Sequence, residues 1–416
     1  MNITRTLALE PSAWLGRSRK TALVRESSAN LPAAELPVFS IVTGTEQIDR
    51  LEPEWNGLCA KAEGPARLFL SFNWLWHWRR HYLSDGSTQL AVVAARHQGE
   101  VVLIWPLAVT RTLGLKTVSF AGAPVSQYGD ILVDRTQPGH EAWIAGAWRH
   151  MTSALAPDIV HLRKVRAGSA AAVLMQRLGA KQANPQIAPC IGLAGLSSFE
   201  EFDERFSAKD RKNRRRRRKI MSEQGTAEFR RLSGSADAIA AFELAMQWKR
   251  RWLEDGALVS TAIADDRFDR FFASVLGETD RPAGAEVFEL SMGGKPVSIK
   301  IAVTSGAYRG LHLTAYDRAH EKFSPGRLIV ERVVEASLAD GVTELDFLAP
   351  AYPYKLDWTE NAVAIHDYSL PITMAGRLFD RIYLQGLRPH LRRLANNGPQ
   401  SLRRLCAALL KARARR

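Results

Sequence analysis

The chain has 416 residues, of which 46% are hydrophobic and 24% are charged. This length suits two domains, and the apolar fraction is large enough for folded cores, which excludes a wholly disordered protein. The three cysteines, Cys59, Cys190 and Cys406, are far apart and form no CxxC pair. The sequence therefore predicts neither a disulfide scaffold nor a structural zinc site, and it indicates a reducing compartment.

The net charge of +14 is concentrated in two segments. Residues 209–219 contain nine basic residues and one acid, and residues 376–416 contain eleven basic residues and one acid. The rest of the chain is mildly acidic, so these segments indicate local sites for phosphate or an anionic surface. No apolar run approaches the ~20 residues that span a bilayer, and the first residues lack an apolar signal block. We expect a cytoplasmic protein.

The first half of the chain reads as helices followed by strands. Residues 1–36 show no sustained period and are interpreted as a flexible N-terminal extension. The predicted elements are helices over 45–62 and 72–82, a hairpin over 88–95 and 101–109, a strand over 115–122, a short strand ILV, a helix over 140–155 and a strand over 158–162.

The second half repeats this order. The predicted elements are a hairpin over 285–292 and 296–305, a strand over 307–316, a helix over 327–340 and a strand over 342–349. A repeated order of elements indicates duplication even where the letters differ. The sequence therefore predicts an α/β (α+β) fold of two similar domains, with mixed, mostly antiparallel sheets flanked by helices. Helices over 209–222 and 236–255 lie between the two copies.

The start of the 327–340 helix is the segment best suited to bind an anion. Ser324, Pro325 and Gly326 form a turn directly before it, and the first backbone N–H groups of a helix lack partners inside the helix. Gly326 permits close backbone approach and Arg327 adds a positive charge. The pattern predicts a diphosphate site, although these four residues alone also suit an ordinary helix start.

An ordered series of motifs carries a family resemblance. The motifs are Tyr316-Asp317, Ser324-Pro325-Gly326, Gly341, Asp346-Phe347, Tyr354-Lys355 and Trp358, with FLSFNWLWHW, SQYGDILV and the arginine-rich helix before a glycine upstream. In this order they resemble the acyltransferase domain of the cellulose- and exopolysaccharide-biosynthesis-associated branch of the GNAT superfamily. That branch is similar to the Fem-type aminoacyl transferases, which contain two GNAT-like domains. The resemblance covers about residues 45–370, and it departs from the family where Ala349-Pro350 replaces a glycine.

The resemblance implies a GNAT-type N- or O-acyltransferase of two tandem GNAT-like domains. It implies transfer from acetyl-CoA or another acyl-CoA, without a metal, to a polar, sugar-containing acceptor in polysaccharide or envelope biosynthesis. The expected divisions are the extension (1–36), a first domain (37–195), connecting helices (196–260), the acyltransferase domain (261–375) and a basic amphipathic tail (376–416).

Acyl transfer needs a hydrogen-bond donor for the oxyanion, a base for the acceptor and an acid for the leaving thiolate. The resemblance places the oxyanion donor on the backbone of the 307–316 strand. We expect Tyr316 to act as the acid, Asp346 as the base and Lys355 as a stabilising charge. Each residue also suits an ordinary role. Tyr316 could pack, Asp346 could form an ion pair and Lys355 could lie in solvent.

Two groups of binding residues are expected. The acyl donor would contact Ser324, Pro325, Gly326 and Arg327, and the acceptor would contact Tyr128, Asp130, Lys209, Arg211 and Tyr354. On the arginine-rich helix, Lys209, Lys212, Arg216 and Lys219 share one face, where like charges repel unless water or an anion surrounds them. The candidate anions are the CoA phosphates, a nucleotide- or lipid-linked sugar, or tRNA. No nucleic-acid-binding motif is present, so we do not expect specific recognition of nucleic acid.

The tail reads as two short basic amphipathic helices broken at residues 396–399, with a stripe of Leu402, Leu405, Leu409 and Leu410. This pattern suits peripheral contact with an anionic membrane at its inner face, or a helix packed on the body with a disordered end. Two other functions remain open for the whole chain. They are tRNA-dependent aminoacyl transfer and non-catalytic binding of membranes or anions on a degenerate GNAT scaffold.

Overall fold

The computed structural model describes residues 37–399, apart from residues 63, 85, 224, 235, 257, 259 and 360. The expected N-terminal extension, Cys406 and the leucine stripe of the second tail helix lie outside these described residues.

Strands and helices alternate along this part of the chain. The strands are β1 (Val38–Val42), β2 (Thr88–His97), β3 (Glu100–Thr112), β4 (Leu115–Phe120), β5 (Leu132–Val133), β6 (Ile159–Arg166), β7 (Lys181–Gly192), β8 (Ala227–Leu232), β9 (Ala285–Met292), β10 (Lys295–Ser305), β11 (Tyr308–Tyr316), β12 (Glu344–Asp346) and β13 (Asn361–Pro371).

The α-helices are α1 (Thr45–Arg50), α2 (Glu52–Lys61), α3 (Ala66–Leu70), α4 (Phe72–Tyr82), α5 (His140–Leu155), α6 (Ala170–Arg177), α7 (Phe199–Glu204), α8 (Ala208–Ser222), α9 (Ala236–Asp255), α10 (Asp266–Gly277), α11 (Pro325–Ala339), α12 (Pro353–Leu356), α13 (Met374–Phe379) and α14 (Arg388–Asn397). A 3-10 helix spans Arg318–Phe323 and a π-helical segment spans Asp380–Leu387. Within the described ranges, no helix has the length and apolar character needed to cross a bilayer.

All strands join one mixed sheet. Its order is β1-β2-β3-β4-β6-β13-β7-β12-β11-β10-β9-β8, and β5 pairs with β3. Strand β13 enters from the C-terminal part of the chain and lies between β6 and β7. The predicted α/β class is confirmed, and the sheets expected for the two copies are continuous with each other.

Each half of the sheet contains one short parallel pair. In the first half, β4 and β6 pair only at Thr117–Val118 and Ile159–Val160. In the second half, β11 and β12 pair only from Tyr308 to Gly310 with Glu344 to Asp346. The other pairs in the sheet are antiparallel. The predicted repeat therefore has a structural counterpart in two parallel pairs whose strands separate after two or three residues.

One large hydrophobic cluster connects the two halves. It contains α4 and the inner strands of the first half together with α9, α10 and one face of β10 and β11. Trp74 of α4 meets Phe271 of α10 edge-on, with ring centroids 4.8 Å apart. Trp74 and Trp78 are buried, as expected of packing anchors. The opposite face of the second half packs on α7 and α11 in a separate cluster.

Strand β12 is shorter than the predicted strand over 342–349. It ends at Asp346 because Leu348 takes a left-handed conformation (φ 60°) and Pro350 has no N–H to donate to a ladder. Strand β7 was not predicted, since Pro185 and Pro189 argue against a strand. Pro185 lies at the register shift between β7 and β13, and Pro189 lies opposite Ala362 of β13, with its carbonyl accepting from the Phe347 N–H at 2.9 Å.

Candidate functional site

The point where β11 and β12 separate is occupied by a buried carboxylate. Asp346 is fully buried at the end of β12. Its Oδ2 accepts a hydrogen bond from the Tyr128 hydroxyl at 2.9 Å and another from the Tyr308 hydroxyl. Its Oδ1 accepts from the backbone N–H of Leu348 at 2.6 Å. Because Tyr128 belongs to the first half, this carboxylate links the two halves at the vertex of the separating strands.

The tyrosine and cysteine side chains around Asp346 are neutral, and the charged guanidinium of Arg166, which is paired with Glu344, also lies near them. Burial, reinforced by the charge of Asp346, raises the pKa of both Tyr128 and Tyr308 well above its ordinary value. Cys190 lies opposite Asp346 in the ladder, and burial together with Asp346 raises the pKa of its thiol to about 11. The hydroxyls and the thiol therefore stay protonated near neutral pH, so the hydroxyls can donate to the carboxylate.

A second polar contact between the halves lies near this vertex. Lys164 Nζ donates to Gln127 Oε1 at 2.7 Å, and Gln127 Nε2 is 3.2 Å from His312 Nε2 on β11. His312 Nε2 donates to the Val125 carbonyl at 2.9 Å, so it carries a proton and does not accept from the Gln127 amide nitrogen. Burial lowers the pKa of His312 to about 4, so the imidazole is neutral. Gln127 adjoins Tyr128 in the motif SQYGD but is not among the site residues predicted from the sequence.

Lys355 binds backbone rather than lying at the surface. Its Nζ donates to the carbonyls of Phe347, Leu348 and Pro350 at 2.8, 2.8 and 2.9 Å. These three bonds use all three ammonium donors. Burial lowers the pKa of Lys355 to about 7. The side chain therefore holds together the loop that follows β12, which contains Ala349 and Pro350.

A further buried lysine lies on the α11 face of the sheet. Lys300 of β10 is 1% exposed, and its Nζ donates to Thr314 Oγ1 at 2.6 Å across the ladder. Tyr354 also hydrogen-bonds Thr314, and burial raises the pKa of Tyr354 to about 12. Burial, assisted by the positive charge of Lys355, lowers the pKa of Lys300 well below its ordinary value. The only sequence signal for Lys300 is a lysine inside the apolar run of a strand.

The start of α11 lies beside the end of β11. Ser324 precedes the helix in a left-handed conformation, and Pro325 is its buried first residue. A Cβ placed on Gly326 would lie 3.3 Å from Cδ1 of Tyr316, so the tyrosine ring packs against the glycine. Tyr316 is half-exposed with its hydroxyl 3.5 Å from Glu321 Oε1, and burial together with Glu321 raises its pKa.

The inner face of α8 packs beside the start of α11. Arg214 is buried, with its guanidinium 2.5 Å from Asp203 Oδ1 and 4.3 Å from the Phe206 ring centroid. Arg218 lies 2.7 Å from Glu331 of α11. Arg214 and Arg218 are therefore neutralised by acids that belong to other helices.

Arg217 lies on the same side of α8 and is half-buried. Among the described residues it has no ion pair, since Glu331 is paired with Arg218 and Asp357 with Arg327 at 2.5 Å. Burial lowers the pKa of Arg217, and the charge of Arg327 lowers it further. Two positive charges thus lie close together at the N-terminal end of α11.

The structure distributes the expected site residues over four places. Tyr128, Asp346, Tyr354 and Lys355 lie around the vertex, and Ser324, Pro325, Gly326 and Arg327 lie with Tyr316 at the start of α11. Asp130 accepts from the Ala171 N–H at 2.8 Å, so it caps α6, and burial raises its pKa to about 6. Lys209 is exposed on α8 and Arg211 is partly buried there. The face predicted from Lys209, Lys212, Arg216 and Lys219 is the exposed face of this helix.

The part of the chain that the structure describes contains no metal-binding site of the usual kind. No three His, Cys, Asp or Glu side chains there lie together in a way that could hold a metal ion.

Comparisons with known proteins agree with this geometry. Residues 208–356 match the family model described as Acetyltransferase (GNAT) domain. The structure of FemX is similar, with a TM-score of 0.58, 11% identity, and coverage of 82% of this chain and 99% of that one. The C-terminal domain (DUF2156) of a putative lysylphosphatidylglycerol synthetase from Agrobacterium fabrum gives a TM-score of 0.52, 10% identity, and coverage of 85% and 98%. No curated protein sequence matches the chain.

A third similar structure is L-PGS from Bacillus licheniformis, with a TM-score of 0.50, 10% identity, and coverage of 81% of this chain and 96% of that one. At such low identity these likenesses show the fold alone, and the matched family model covers the second half. The chain therefore has a GNAT/Fem-like fold whose second half matches the GNAT acetyltransferase domain.

Proposed function

We propose that the protein is an acyltransferase that moves an acetyl or other acyl group from an acyl-CoA to an amine or hydroxyl of a polar acceptor. The observation that carries this proposal is the separation of β11 and β12 beyond Gly310 and Asp346, with α11 starting beside the end of β11. An unpaired strand edge offers backbone N–H groups to a thioester carbonyl, and a helix start offers them to a diphosphate. The match of residues 208–356 to the GNAT domain supports the same reading.

The residues at the start of α11 fit the diphosphate of CoA. Gly326 lets the Tyr316 ring pack directly against the start of the helix, where a side chain would meet the ring. Arg327 is paired with Asp357, whereas Arg217 has no ion pair among the described residues, so the charge of Arg217 is the one left to bind an anion here. A diphosphate would pair with Arg217 and accept from the Gly326 N–H, because Pro325 has no N–H and the Arg327 N–H donates to the Ser324 carbonyl at 2.9 Å.

The proposed chemistry divides between the two faces of the sheet. A lone pair of the acceptor forms a bond to the thioester carbonyl carbon, the oxyanion accepts from backbone N–H groups of β11, and the C–S bond then breaks. We assign Asp346 as the proton acceptor, acting through the hydroxyl of Tyr128 or Tyr308. We assign Tyr316 as the proton donor to the leaving thiolate. Lys355 is a positioning residue, because its ammonium fixes the loop that forms one side of the opening between the strands.

We assign the acceptor site to the junction between the halves. Tyr128, Gln127 and Lys164 of the first half bring hydroxyl, amide and ammonium groups to this junction. Such groups suit a hydroxyl-rich acceptor, so a sugar-containing acceptor of polysaccharide or envelope biosynthesis, as the family resemblance implies, is part of the proposal.

Binding of acetyl-CoA tests the donor site. Acetyl-CoA is expected to raise the melting temperature of the protein, with competition by CoA. Arg217→Gln is expected to weaken binding about tenfold, which corresponds to the loss of one charge-assisted contact, and Gly326→Trp is expected to abolish binding. Arg216→Gln is the matched control, because Arg216 is the exposed neighbour on the same helix. Absence of any shift, or equal losses in the two arginine variants, would contradict the donor site.

Aminoacyl transfer from tRNA is a second candidate, favoured by the exposed basic face of α8. Lys209 and Lys212 lie on this face and are free to meet a polyphosphate backbone. If tRNA rather than acetyl-CoA stabilises the protein, and Lys209→Glu with Lys212→Glu removes that effect while Arg217→Gln retains it, this candidate replaces acyl-CoA transfer. If neither ligand binds, the non-catalytic alternative is favoured.

A further inference from the structure

The helical segment after β13 turns its apolar side chains toward solvent. It runs through α13, the π-helical segment and α14 without a break. Its large apolar residues are between 48% and 74% exposed, and we call them the outer stripe: Met374, Leu378, Ile382, Leu387, Leu391 and Leu394. These residues lie within the described part of the tail.

The spacing of the outer stripe keeps it on one side of the helix. The first three residues are four apart, which is close to one α-helical turn. The step from Ile382 to Leu387 is five residues, and it falls inside the π-helical segment, where each turn takes more residues. The wider π-helical turn therefore accommodates the one additional residue between Ile382 and Leu387, so the stripe stays on the same side of the helix and does not rotate toward the protein body.

The opposite side of the same helix is attached to the body by polar and close backbone contacts. Thr373 donates to Asp158 at 2.7 Å, and a Cβ on Gly376 would lie 2.0 Å from the Asp158 carbonyl oxygen. Lys181 and Asp380 are paired at 3.1 Å. A helix that only packs on a soluble body buries its apolar face, and here that face points outward. An apolar surface of this length outside the core indicates a docking surface.

The charges beside the outer stripe determine which kind of partner can bind to it. Asp380 is the only acid between residues 374 and 416, and it is buried and paired with Lys181. Arg377, Arg381 and Arg393 are exposed beside the outer stripe. A second copy of the same face would bring like charges together, which opposes self-association. An anionic bilayer presents an apolar layer and a plane of negative headgroups at the same time.

We propose that the outer stripe docks on the surface of an anionic phospholipid bilayer, with the exposed arginines at the headgroups. The helix lies in the plane of the membrane surface. This inference does not depend on which group the protein transfers.

Flotation of the full-length protein with vesicles tests the proposal. We expect binding to vesicles of equal parts phosphatidylcholine and phosphatidylglycerol, and much weaker binding to phosphatidylcholine alone. The double variant Leu378→Glu, Ile382→Glu is expected to lose at least tenfold in binding, because two side chains leave the apolar layer and two negative charges face the headgroups. Leu113→Glu is the matched control, since Leu113 is 84% exposed in a distant turn and should bind like the wild type.

Melting temperature establishes that the double variant is folded, as expected for two exposed positions. Loss of binding with an unchanged melting temperature supports the proposal. It is overturned if the wild type fails to float with anionic vesicles, or if the double variant floats equally well. It is also overturned if the wild type is a dimer by light scattering, does not bind vesicles, and becomes monomeric in the double variant.

Discussion

Asp346 shows how a charged group can be fully buried at a junction. A buried carboxylate is costly unless donors satisfy its oxygens. Two tyrosine hydroxyls and one backbone N–H do so here, and the hydroxyls come from opposite halves of the chain. The same contacts that would pass a proton therefore also hold the two halves in register.

Removal of this carboxylate is expected to destabilise the protein. Asp346→Ala leaves buried donors unpaired and should lower the free energy of unfolding by about 2–4 kcal/mol, measured by urea denaturation. Asp346→Asn retains an acceptor and should cost roughly half as much. The control Asp237→Ala, at an exposed position of α9, should change stability by less than about 0.5 kcal/mol. A loss in Asp346→Ala no larger than in the control would contradict this account.

Lys300 is expected to make stability depend on pH. Burial lowers the pKa of Lys300 in the folded protein below the pKa of lysine in the unfolded chain. At pH values between these two pKa values, the unfolded chain therefore binds more protons than the folded protein. Stability due to this group is therefore present at high pH and is lost as pH falls through that interval. Lys300→Met removes the buried amine and should raise the free energy of unfolding at pH 7 by about 1 kcal/mol or more.

The advantage of Lys300→Met over the wild type should shrink as pH rises toward the ordinary pKa of lysine. Urea denaturation across neutral to alkaline pH measures it. Lys295→Met, at the exposed start of the same strand, should follow the wild type at every pH. An advantage of Lys300→Met that does not vary with pH would show that packing, rather than protonation, distinguishes the two residues.

At the scale of elements, the sequence was most informative where the hydrophobic pattern and the turn agreed. Alternating apolar residues around Gly293-Gly294 predict the β9–β10 hairpin, which the structure contains. The helix over 140–155 was found with the same bounds. Strand β7 was missed because its prolines contradict strand propensity, and Pro185 is tolerated because it lies at the register shift in the pairing with β13.

The sequence of the arginine-rich helix alone does not show what its packed face contacts. Its periodic pattern identifies Lys209, Lys212 and Arg216 as one face, which the structure leaves exposed. The packed face is chosen by Asp203 and Glu331, which belong to α7 and α11. The candidate site has the same property, since Tyr128 and Asp346 were identified separately from motifs and only the fold brings them into contact. Lys300 could not be selected from sequence because burial, not spacing, makes it unusual.

At the scale of the whole molecule, the sheet joins the two halves through β13. This strand pairs with β6 on one side and with β7 on the other, and β7 in turn pairs with β12 of the second half. The central hydrophobic cluster contains residues of both halves, including Ile365 of β13. Two GNAT-like units with separate sheets could unfold independently, whereas shared strands and a shared core favour one cooperative transition.

Ile365→Ala tests this coupling. The buried side chain lies in the shared cluster, so its truncation is expected to lower the free energy of unfolding by about 2–4 kcal/mol. Because the loss is shared, amide hydrogen exchange should accelerate together in β3 of the first half and in β10 of the second. Val38→Ala, at a 74% exposed position of the edge strand β1, is the control and should leave exchange in both strands unchanged. Acceleration confined to one half would mean that the two halves unfold separately despite their continuous sheet.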